Sequence, residues 1–233
     1  MLPAEDETLL LSPKERRHRN RDEVRRAIME AARAVMREQG VAALSLREVA
    51  RRVRLQAPSL YAYFSSKAAL YDALFLTGIR RWVEYRSRAD AEHEPDEDFW
   101  KWFDARLEAY MRFAQENPEL YQLAFERPVP GFVPSEESLD ESRRMLAGLE
   151  QALAEAIAQG RIAPDVPVSQ ARDLVIAMTH GLTAQHMANE PDLPVGSGRF
   201  GSLIPAAVTI FRAAWDAERV ARDRCSSTES RSS

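Results

Sequence analysis

The apolar residues of this chain recur at intervals of three and four along nearly its whole length. That spacing places them on one face of an α-helix, because a helix turns once in about 3.6 residues. No stretch between turn signals keeps the alternating pattern of a half-buried β-strand. The sequence therefore predicts an all-α protein. About nine helices are expected, at residues 21–39, 46–53, 57–63, 67–88, 97–116, 118–125, 135–159, 168–189 and 202–223.

Charge is divided unevenly along the 233 residues, although the formal net charge is only −4. Residues 1–67 contain 14 Lys and Arg against 9 Asp and Glu, a net of +5, and the rest of the chain carries a net of −9. A basic run occupies residues 14–21 (KERRHRNR) and is a candidate contact for DNA phosphates or a minor groove. The alternative is a solvated, disordered terminus.

Several classes of protein are excluded by the sequence. No apolar run approaches the roughly 18 to 20 residues that a membrane span needs, and the apolar residues 9–11 follow acidic residues instead of the basic ones of a secretory signal. We therefore expect a cytoplasmic protein that does not contact a membrane. The single cysteine, Cys225, can form neither an internal disulfide nor a cysteine-based metal cluster.

Catalysis also has little support. The four histidines include no pair at the i, i+4 spacing of a helical metal site, and the chain has no phosphate-binding glycine loop and no nucleophile elbow. We expect no catalytic residue, no metal and no cofactor, and hence no enzyme.

The predicted helices at residues 46–53 and 57–63 are short and joined by a tight turn. Leu60 and Phe64 lie one turn apart and are predicted to face the core. The residues left outward are then Pro58, Ser59, Tyr61 and Ala62. This arrangement is typical of a helix-turn-helix, whose second helix lies in the major groove of DNA. The alternative is that the tyrosines are simply partly buried aromatic residues.

Three further side chains near this motif suit a DNA partner. Ser45 and Glu48 are spaced as a capping box, and Ser45 could also donate to a phosphate at that helix terminus. Arg47 could reach a guanine through a bidentate pair of hydrogen bonds, and Lys67 could bind a flanking phosphate. The alternative for Ser45 is a plain helix cap.

The stretch at residues 50–70, ARRVRLQAPSLYAYFSSKAAL, closely resembles the TetR/AcrR family of transcriptional regulators. The family pattern of Leu-Tyr, one residue, an aromatic residue or His, Phe, then Ser-Lys and Leu is complete, at the right distance from Gly40 and Ser45. The resemblance covers about residues 22–72. With the residue chemistry above, it gives the predicted DNA-binding residues Ser45, Arg47, Gln56, Ala57, Pro58, Ser59, Tyr61, Tyr63 and Lys67.

Two positions depart from the family pattern. Arg54 replaces the usual glycine of the turn, so its backbone must either avoid a positive φ or bear the strain. Gln56 replaces the usual Ser or Thr cap of the recognition helix. Ala57 and Ala62 add no hydrogen-bonding side chain, so base readout should depend on Arg47, Ser59, Tyr61 and contacts with thymine methyl groups.

The later helices are rich in large apolar side chains, most of which must form the core. The resemblance implies that a ligand cavity lies among the fourth to eighth helices and that the last two helices form a homodimer. Short motifs at residues 117–121 (NPELY) and 180–182 (HGL) also resemble a C-terminal subfamily attached to this DNA-binding unit. The predicted ligand-binding residues are Trp82, Tyr85, Trp100, Phe103, Tyr110, Phe125, Met145, Met178, Thr179 and His180. For His180 the alternative is a satisfied core or interface histidine.

The predicted organisation has four parts: a basic disordered arm (1–20), a helix-turn-helix domain (21–66), a helical ligand-binding and dimerisation domain (67–224) and a disordered tail (225–233). The predicted function is a repressor that a mostly apolar small molecule releases from a pseudo-palindromic double-stranded DNA operator. The alternatives are a helical dimer that acts as a protein-interaction module and a regulator that needs no ligand.

Overall fold

The structure, a computed structural model, describes residues 12–93 and 98–216. Within those ranges no residue belongs to a β-strand, and an isolated antiparallel bridge joins Ile162 to Asp216. The predicted all-α fold is confirmed. No helix in the described part of the chain is long and apolar enough to cross a membrane. The predicted disordered tail, 225–233, lies outside the described residues.

The chain divides into two compact units. The first contains the described residues up to Thr77 together with Glu119–Ser135, and the second contains Gly78–Pro118 and the described residues from Glu136 onward. The helices are α1 (Pro13–Gln39), α2 (Leu46–Arg52), α3 (Ala57–Leu60), α4 (Lys67–Glu92), α5 (Phe99–Glu116), α6 (Pro118–Tyr121), α7 (Glu136–Ala158), α8 (Val168–Asn189), α9 (Gly198–Gly201) and α10 (Ile204–Trp215).

The first helix begins at Pro13, eight residues before its predicted start at residue 21. A complete capping box starts it: Ser12 Oγ accepts from the Glu15 backbone N–H at 3.3 Å, and the Glu15 carboxylate accepts from the Ser12 N–H at 2.8 Å. Pro13 adds a fixed helical φ in the first turn. The predicted arm is therefore helical from residue 13, and its residues 1–11 lie outside the description.

The core of the first unit lies between α1, α2 and the segment that follows α3. On α1 the buried stripe is Ile28, Ala32, Val35 and Met36, a helical spacing of four, three and one. Ala27, next to this stripe, is exposed, and Val24 is half-buried. A salt bridge also joins α1 to α2, since Arg52 contacts Glu38 of α1, and Arg52 contacts Glu48 within α2.

The segment Glu119–Ser135 belongs to the first unit although the chain reaches it only after α5. The predicted boundary at residue 67 assigned it to the second domain. Its contacts with the first unit are polar at both ends: Glu119 pairs with Arg33 of α1, and the Ser135 N–H and hydroxyl donate to Asp72 of α4 at 2.7 and 2.8 Å. Between them the Phe132 ring packs 5.5 Å from that of Tyr71.

The second unit is built around α5, whose side chains are buried over most of its circumference. Asp98 caps this helix by accepting from the Trp100 and Lys101 N–H groups at 3.1 Å, so the helix starts at Phe99 and not at the predicted residue 97. The predicted final helix, 202–223, corresponds to α10, which begins at Ile204 and ends at Trp215, and the chain is described only to Asp216; the short α9 precedes it. Phe103 of α5 and Phe211 of α10 meet at this core, with ring centroids 5.5 Å apart.

Candidate nucleic-acid interface

The turn between α2 and α3 is closed by a left-handed residue. Arg54 has φ of 57°, so the structure answers the question that the sequence left open: the arginine adopts the positive φ that glycine usually supplies. The turn is held by its backbone, since the Arg54 N–H donates to Arg51 O at 3.2 Å and the Leu55 N–H donates to Ala50 O at 2.9 Å. The strain is local and is compensated by these bonds.

The recognition segment is α3 and the turns that follow it. As predicted, Leu60 and Phe64 are buried. The helix ends at Leu60 instead of residue 63, and the N–H groups of Tyr63 and Phe64 both donate to Leu60 O at 2.9 Å. The residues predicted to point outward are all exposed, namely Pro58, Ser59, Tyr61 and Ala62. Tyr61 is the largest of them, and 55% of it is exposed.

Ser45 and Glu48 form only half of the predicted capping box. Ser45 Oγ accepts from the Glu48 N–H at 3.4 Å, but the Glu48 carboxylate accepts from Arg51 and Arg52 instead of from the Ser45 backbone. Hydrogen bonds from Arg51, and then from Arg52, lower the pKa of Glu48 to about 2. Ser45 is half-buried at the start of α2, and Arg47, two residues further on, is exposed.

The other predicted DNA-binding residues differ in exposure. Gln56 and Lys67 are exposed, and the Lys67 ammonium lies 5.4 Å from the centre of the Tyr71 ring. Ala57 and Tyr63 are half-buried. All nine predicted residues thus lie on α2, the α3 segment or the first residue of α4 within one unit.

Two arginines of α1 support the recognition segment, a role that no sequence pattern indicates. Arg21 Nη2 donates to Ala62 O at 2.9 Å, and Arg25 Nη1 donates to Tyr63 O at 2.6 Å. The Arg25 guanidinium also lies 4.3 Å from the centre of the Phe64 ring. Their spacing of four on α1 was visible in the sequence, but their carbonyl partners could be found only from the fold.

The second unit brings four of the predicted ligand-binding residues together. The rings of Trp82 and Tyr110 meet edge to face at 5.0 Å, and Tyr85 packs against Phe113 at 5.8 Å. Phe113 also lies 6.2 Å from Trp82, and the Tyr110 hydroxyl is 3.3 Å from His180 Nδ1. We call Trp82, Tyr85, Tyr110 and Phe113 the aromatic group. The structure thus combines apolar ring surface from α4 and α5 with a polar side chain of α8.

The remaining predicted ligand-binding residues lie elsewhere or at the edge of this set. Trp100 and Phe103 belong to the core around Phe211. Phe125 is part of the first unit, where it packs against Tyr121. Met145, Met178 and Thr179 are half-buried on α7 and α8. The structure thus brings four of the ten residues together, and a site that includes the others stays a prediction.

One surface depression of about 210 Å³ lies between α5 and α10. Its lining residues are Asp98, Trp100, Lys101, Asp104, Pro205, Val208 and Arg212. Of the predicted ligand-binding residues only Trp100 contributes to it, and its volume is below the roughly 300 to 1,000 Å³ of ordinary ligand sites. It does not coincide with the aromatic group. Among the described residues no cluster of three His, Cys, Asp or Glu could hold a metal ion.

Two sequence families match the chain. Residues 28–74 match the bacterial regulatory proteins of the tetR family, and residues 103–200 match a tetracyclin repressor-like C-terminal domain. A helix-turn-helix unit followed by a second helical unit defines the class of DNA-binding transcriptional regulators. The chain belongs to the tetR family of that class, which consists of regulators and not of enzymes.

Curated relatives carry the same description. The HTH-type transcriptional regulator Rv1816 of Mycobacterium tuberculosis is 28% identical over 146 residues, which are 61% of this chain and 61% of that protein. The regulator Mb1846 of Mycobacterium bovis matches to the same extent. The chain thus spans about three fifths of the length of the curated relatives that it matches.

Solved structures share the fold. A protein of unknown function from Rhodococcus sp. RHA1 has a TM-score of 0.70 and 25% identity, with 83% of this chain and 95% of that chain covered. A TetR family regulator from Marinobacter aquaeolei has a TM-score of 0.64 and 20% identity, covering 85% and 99%. FadR from Bacillus subtilis in complex with stearoyl-CoA has a TM-score of 0.62 and 16% identity, covering 79% and 96%.

Proposed function

We propose that this regulator is a homodimeric repressor that leaves a pseudo-palindromic DNA operator when a mostly apolar small molecule binds. The observation that carries the DNA part is the face of the recognition segment. Buried Leu60 and Phe64 anchor that segment, while Tyr61 and Ser59 stand exposed. Small and flat side chains on such a face allow close approach to base edges in the major groove.

The predicted DNA-binding residues divide into two roles. Arg47, Ser59 and Tyr61 read base edges, and Ala57 with Pro58 contacts thymine methyl groups. Ser45, Gln56, Tyr63 and Lys67 contact the phosphate backbone and set the register. The exposure of Arg47 and Lys67 supports this division, because both side chains already reach solvent.

Exposed apolar side chains on the last long helices support a homodimer. Leu174 and Ile176 of α8 are exposed, as are Leu203 and Ile210 at and within α10. Large apolar side chains on outward helix faces are stabilised when a second copy covers them. A twofold dimer would present its recognition helices to half-sites about one DNA turn apart, roughly 34 to 36 Å.

The aromatic group supports an apolar effector with one polar feature. Trp82, Tyr85 and Tyr110 offer ring surface, and His180 beside the Tyr110 hydroxyl offers a polar partner. FadR of Bacillus subtilis was solved with stearoyl-CoA, whose long acyl chain is apolar.

Because α4 has residues in both units, an effector bound to its second half can favour one position of the helix. A coupling of about 1 to 3 kcal/mol lowers DNA affinity roughly 5 to 150-fold. Such a regulator works beside the chromosome, which places it in the cytoplasm.

The DNA part is tested by selecting duplexes from a random-sequence library with the purified full chain. Affinity for the selected duplex should fall steeply with salt, because each phosphate contact releases counterions. Lys67→Ala should flatten the slope of log K against log salt by about one unit for each bound head. Lys101→Ala, an exposed lysine of α5, is the matched control and should leave the slope unchanged. A salt-insensitive complex would refute the proposed contacts.

The effector part is tested by thermal denaturation in the presence of fatty acids and their coenzyme A esters. A molecule at 100 times its dissociation constant should stabilise the fold by about 2.7 kcal/mol. The same molecule should release the selected duplex. Stabilisation without release would favour a regulator that does not respond to the ligand.

A further inference from the structure

The start of α1 carries a strongly basic surface that lies outside the matched family region. The helix begins at Pro13, whereas the family match begins at residue 28. Residues 14–21 are exposed throughout and contain Lys14, Arg16, Arg17 and Arg19. The capping box at Ser12 makes this extension part of a continuous helix of 27 residues, so its charges have fixed directions.

The bonds of Arg21 and Arg25 show which face of the extension points toward the recognition segment. Both side chains donate to backbone carbonyls there, at Ala62 and Tyr63. In a helix, residues three and four apart share a face. Arg17 and Lys14 continue the Arg21–Arg25 stripe at intervals of four and three. We call Lys14, Arg17, Arg21 and Arg25 the basic stripe.

The opposite face of the extension has a different character. Arg16 and Arg19 lie about half a turn away from the basic stripe, given about 100° for each residue. Arg19 pairs with Glu23 at 3.8 Å. Asp22 lies three residues before Arg25 and pairs with His18 at 3.5 Å, so it borders one edge of the basic stripe, while Glu15 accepts from the Ser12 N–H in the capping box. The phosphate backbone of DNA would attract the cations of the basic stripe.

The reach of the stripe fits DNA beside the half-site. Seven residues separate Lys14 from Arg21, which is about 10 Å of helix at about 1.5 Å per residue. Arg21 already contacts Ala62, at the end of the recognition segment. When the recognition segment lies in a major groove about 12 Å wide, the phosphates that border the groove are within about 10 Å of it. We propose that Lys14 and Arg17 bind the phosphate backbone of double-stranded DNA flanking each half-site and so lengthen the operator footprint.

This inference rests on the proposed function, since it adds a contact to a DNA-bound head. It predicts that the protein contacts the base pairs that flank each half-site whatever their sequence. Phosphates carry no sequence information, so the added contact raises affinity for any flanking sequence alike. The contact would therefore add protected base pairs to a footprint without adding a sequence preference at those base pairs.

The test compares two double variants of the full chain with equal charge loss, Lys14→Ala/Arg17→Ala and Arg16→Ala/Arg19→Ala. The probe is the duplex that the wild-type protein selects from a random library, in two lengths. The short duplex ends at the last base pair at which sequence matters, and the long one carries ten more base pairs at each end. Circular-dichroism melting should be the same for both variants and the wild type, since all four side chains are exposed.

On the long duplex the Lys14/Arg17 variant should lose affinity about tenfold or more near 0.1 M salt, with a slope of log K against log salt flatter by about two units for each bound head. The Arg16/Arg19 variant should lose much less, and on the short duplex the two variants should bind alike. Equal losses for both variants, or a loss that persists on the short duplex, would overturn the inference alone. Failure of the wild type to select any duplex would overturn the proposed function and this contact with it.

Discussion

The two units treat their buried polar groups differently. In the first unit the buried carboxylate of Glu119 lies 2.7 Å from Arg33 Nε and 3.4 Å from Arg37 Nε, so its Oε2 atom, which accepts no hydrogen bond from the described residues, is held by an ion pair. In the second unit several buried polar atoms have no hydrogen-bond partner in the structure as described. They are Asp104 Oδ1, Thr179 Oγ1, Thr183 Oγ1 and His186 Nδ1.

This difference in buried polar atoms is consistent with the function that we propose for each unit. A buried polar atom without a partner costs about 1 to 3 kcal/mol, so a unit that keeps such atoms gives up stability. The first unit must hold one shape, because a misplaced recognition segment cannot read base edges. The second unit retains polar atoms on α8, the helix that also carries His180, and a bound molecule could satisfy them. The contrast is the one expected if, as we propose, the first unit reads DNA and the second unit binds an effector.

The largest effect is expected at Glu119. Glu119→Ala leaves Arg33, whose side chain is only 16% exposed, without its buried partner, and should lower the free energy of unfolding by about 3 kcal/mol. Denaturant titration of the full chain measures this loss. Arg37→Ala is the matched control and should cost less, because the Arg37 side chain is 44% exposed. A cost below about 1 kcal/mol for Glu119→Ala would remove the contrast between the units.

The next effect concerns DNA specificity instead of stability. Arg47→Ala should weaken binding of the selected duplex by about 1 to 3 kcal/mol and relax the preference at one base pair. Its melting temperature should not change, since Arg47 is exposed. Competition among operator variants measures the preference, with Arg112→Ala, an exposed arginine of α5, as control. An unchanged ranking of variants would show that Arg47 does not read bases.

The unpartnered hydroxyls of α8 give an effect of opposite sign. Thr183→Val removes a buried hydroxyl without a hydrogen bond at nearly constant volume, so it should raise the free energy of unfolding by about 1 kcal/mol. The matched control is Thr77→Val in the first unit, whose hydroxyl donates to Ala73 O at 2.8 Å and whose loss should destabilise. Equal effects of the two substitutions in denaturant titration would contradict the comparison.

Sequence patterns predicted the features that are set by residues close together in the sequence, namely helix bounds and the buried face of a helix. The eighth helix was predicted at its observed bounds, and burial of Leu60 and Phe64 follows from their spacing on one helix face. At Arg54 the sequence allowed two backbone conformations, one that avoids a positive φ and one that adopts it with strain. The family pattern identifies the turn position, but it does not say whether an arginine there adopts the left-handed φ that the structure shows.

Partners distant in sequence could not be predicted in this way. Glu119 follows α5, yet its carboxylate pairs with Arg33, 86 residues earlier. The grouping of the predicted ligand-binding residues could not be predicted for the same reason. Apolar spacing marks Trp82 and Trp100 alike as core residues, and the packing shows that Trp82 belongs to the aromatic group and Trp100 to the core around Phe211. The contact roles of the nine DNA-binding residues remain predictions.

A smaller stabilisation is expected at the strained turn of the first unit. Arg54→Gly relieves a left-handed backbone that costs an ordinary residue about 1 to 2 kcal/mol, while glycine loses about 0.5 to 1 kcal/mol through the entropy of the unfolded chain. The net gain should be about 0.5 kcal/mol in denaturant titration. Arg54→Ala keeps the same backbone penalty and serves as control. A loss of stability in Arg54→Gly would show that the arginine side chain itself stabilises the turn.

The smallest effect is the acid response of the salt-bridge network on α2. Hydrogen bonds from Arg51 and Arg52 lower the pKa of Glu48 to about 2, below its usual 4.5. A carboxylate with a lowered pKa in the folded state stabilises above its unfolded pKa, and this contribution is lost as pH falls from about 4.5 toward 2. Glu48→Gln should therefore flatten the fall of melting temperature across that window and change little at pH 7 beyond the loss of an exposed ion pair. Parallel melting curves for wild type and variant below pH 4.5 would show that the acid response of the first unit arises elsewhere.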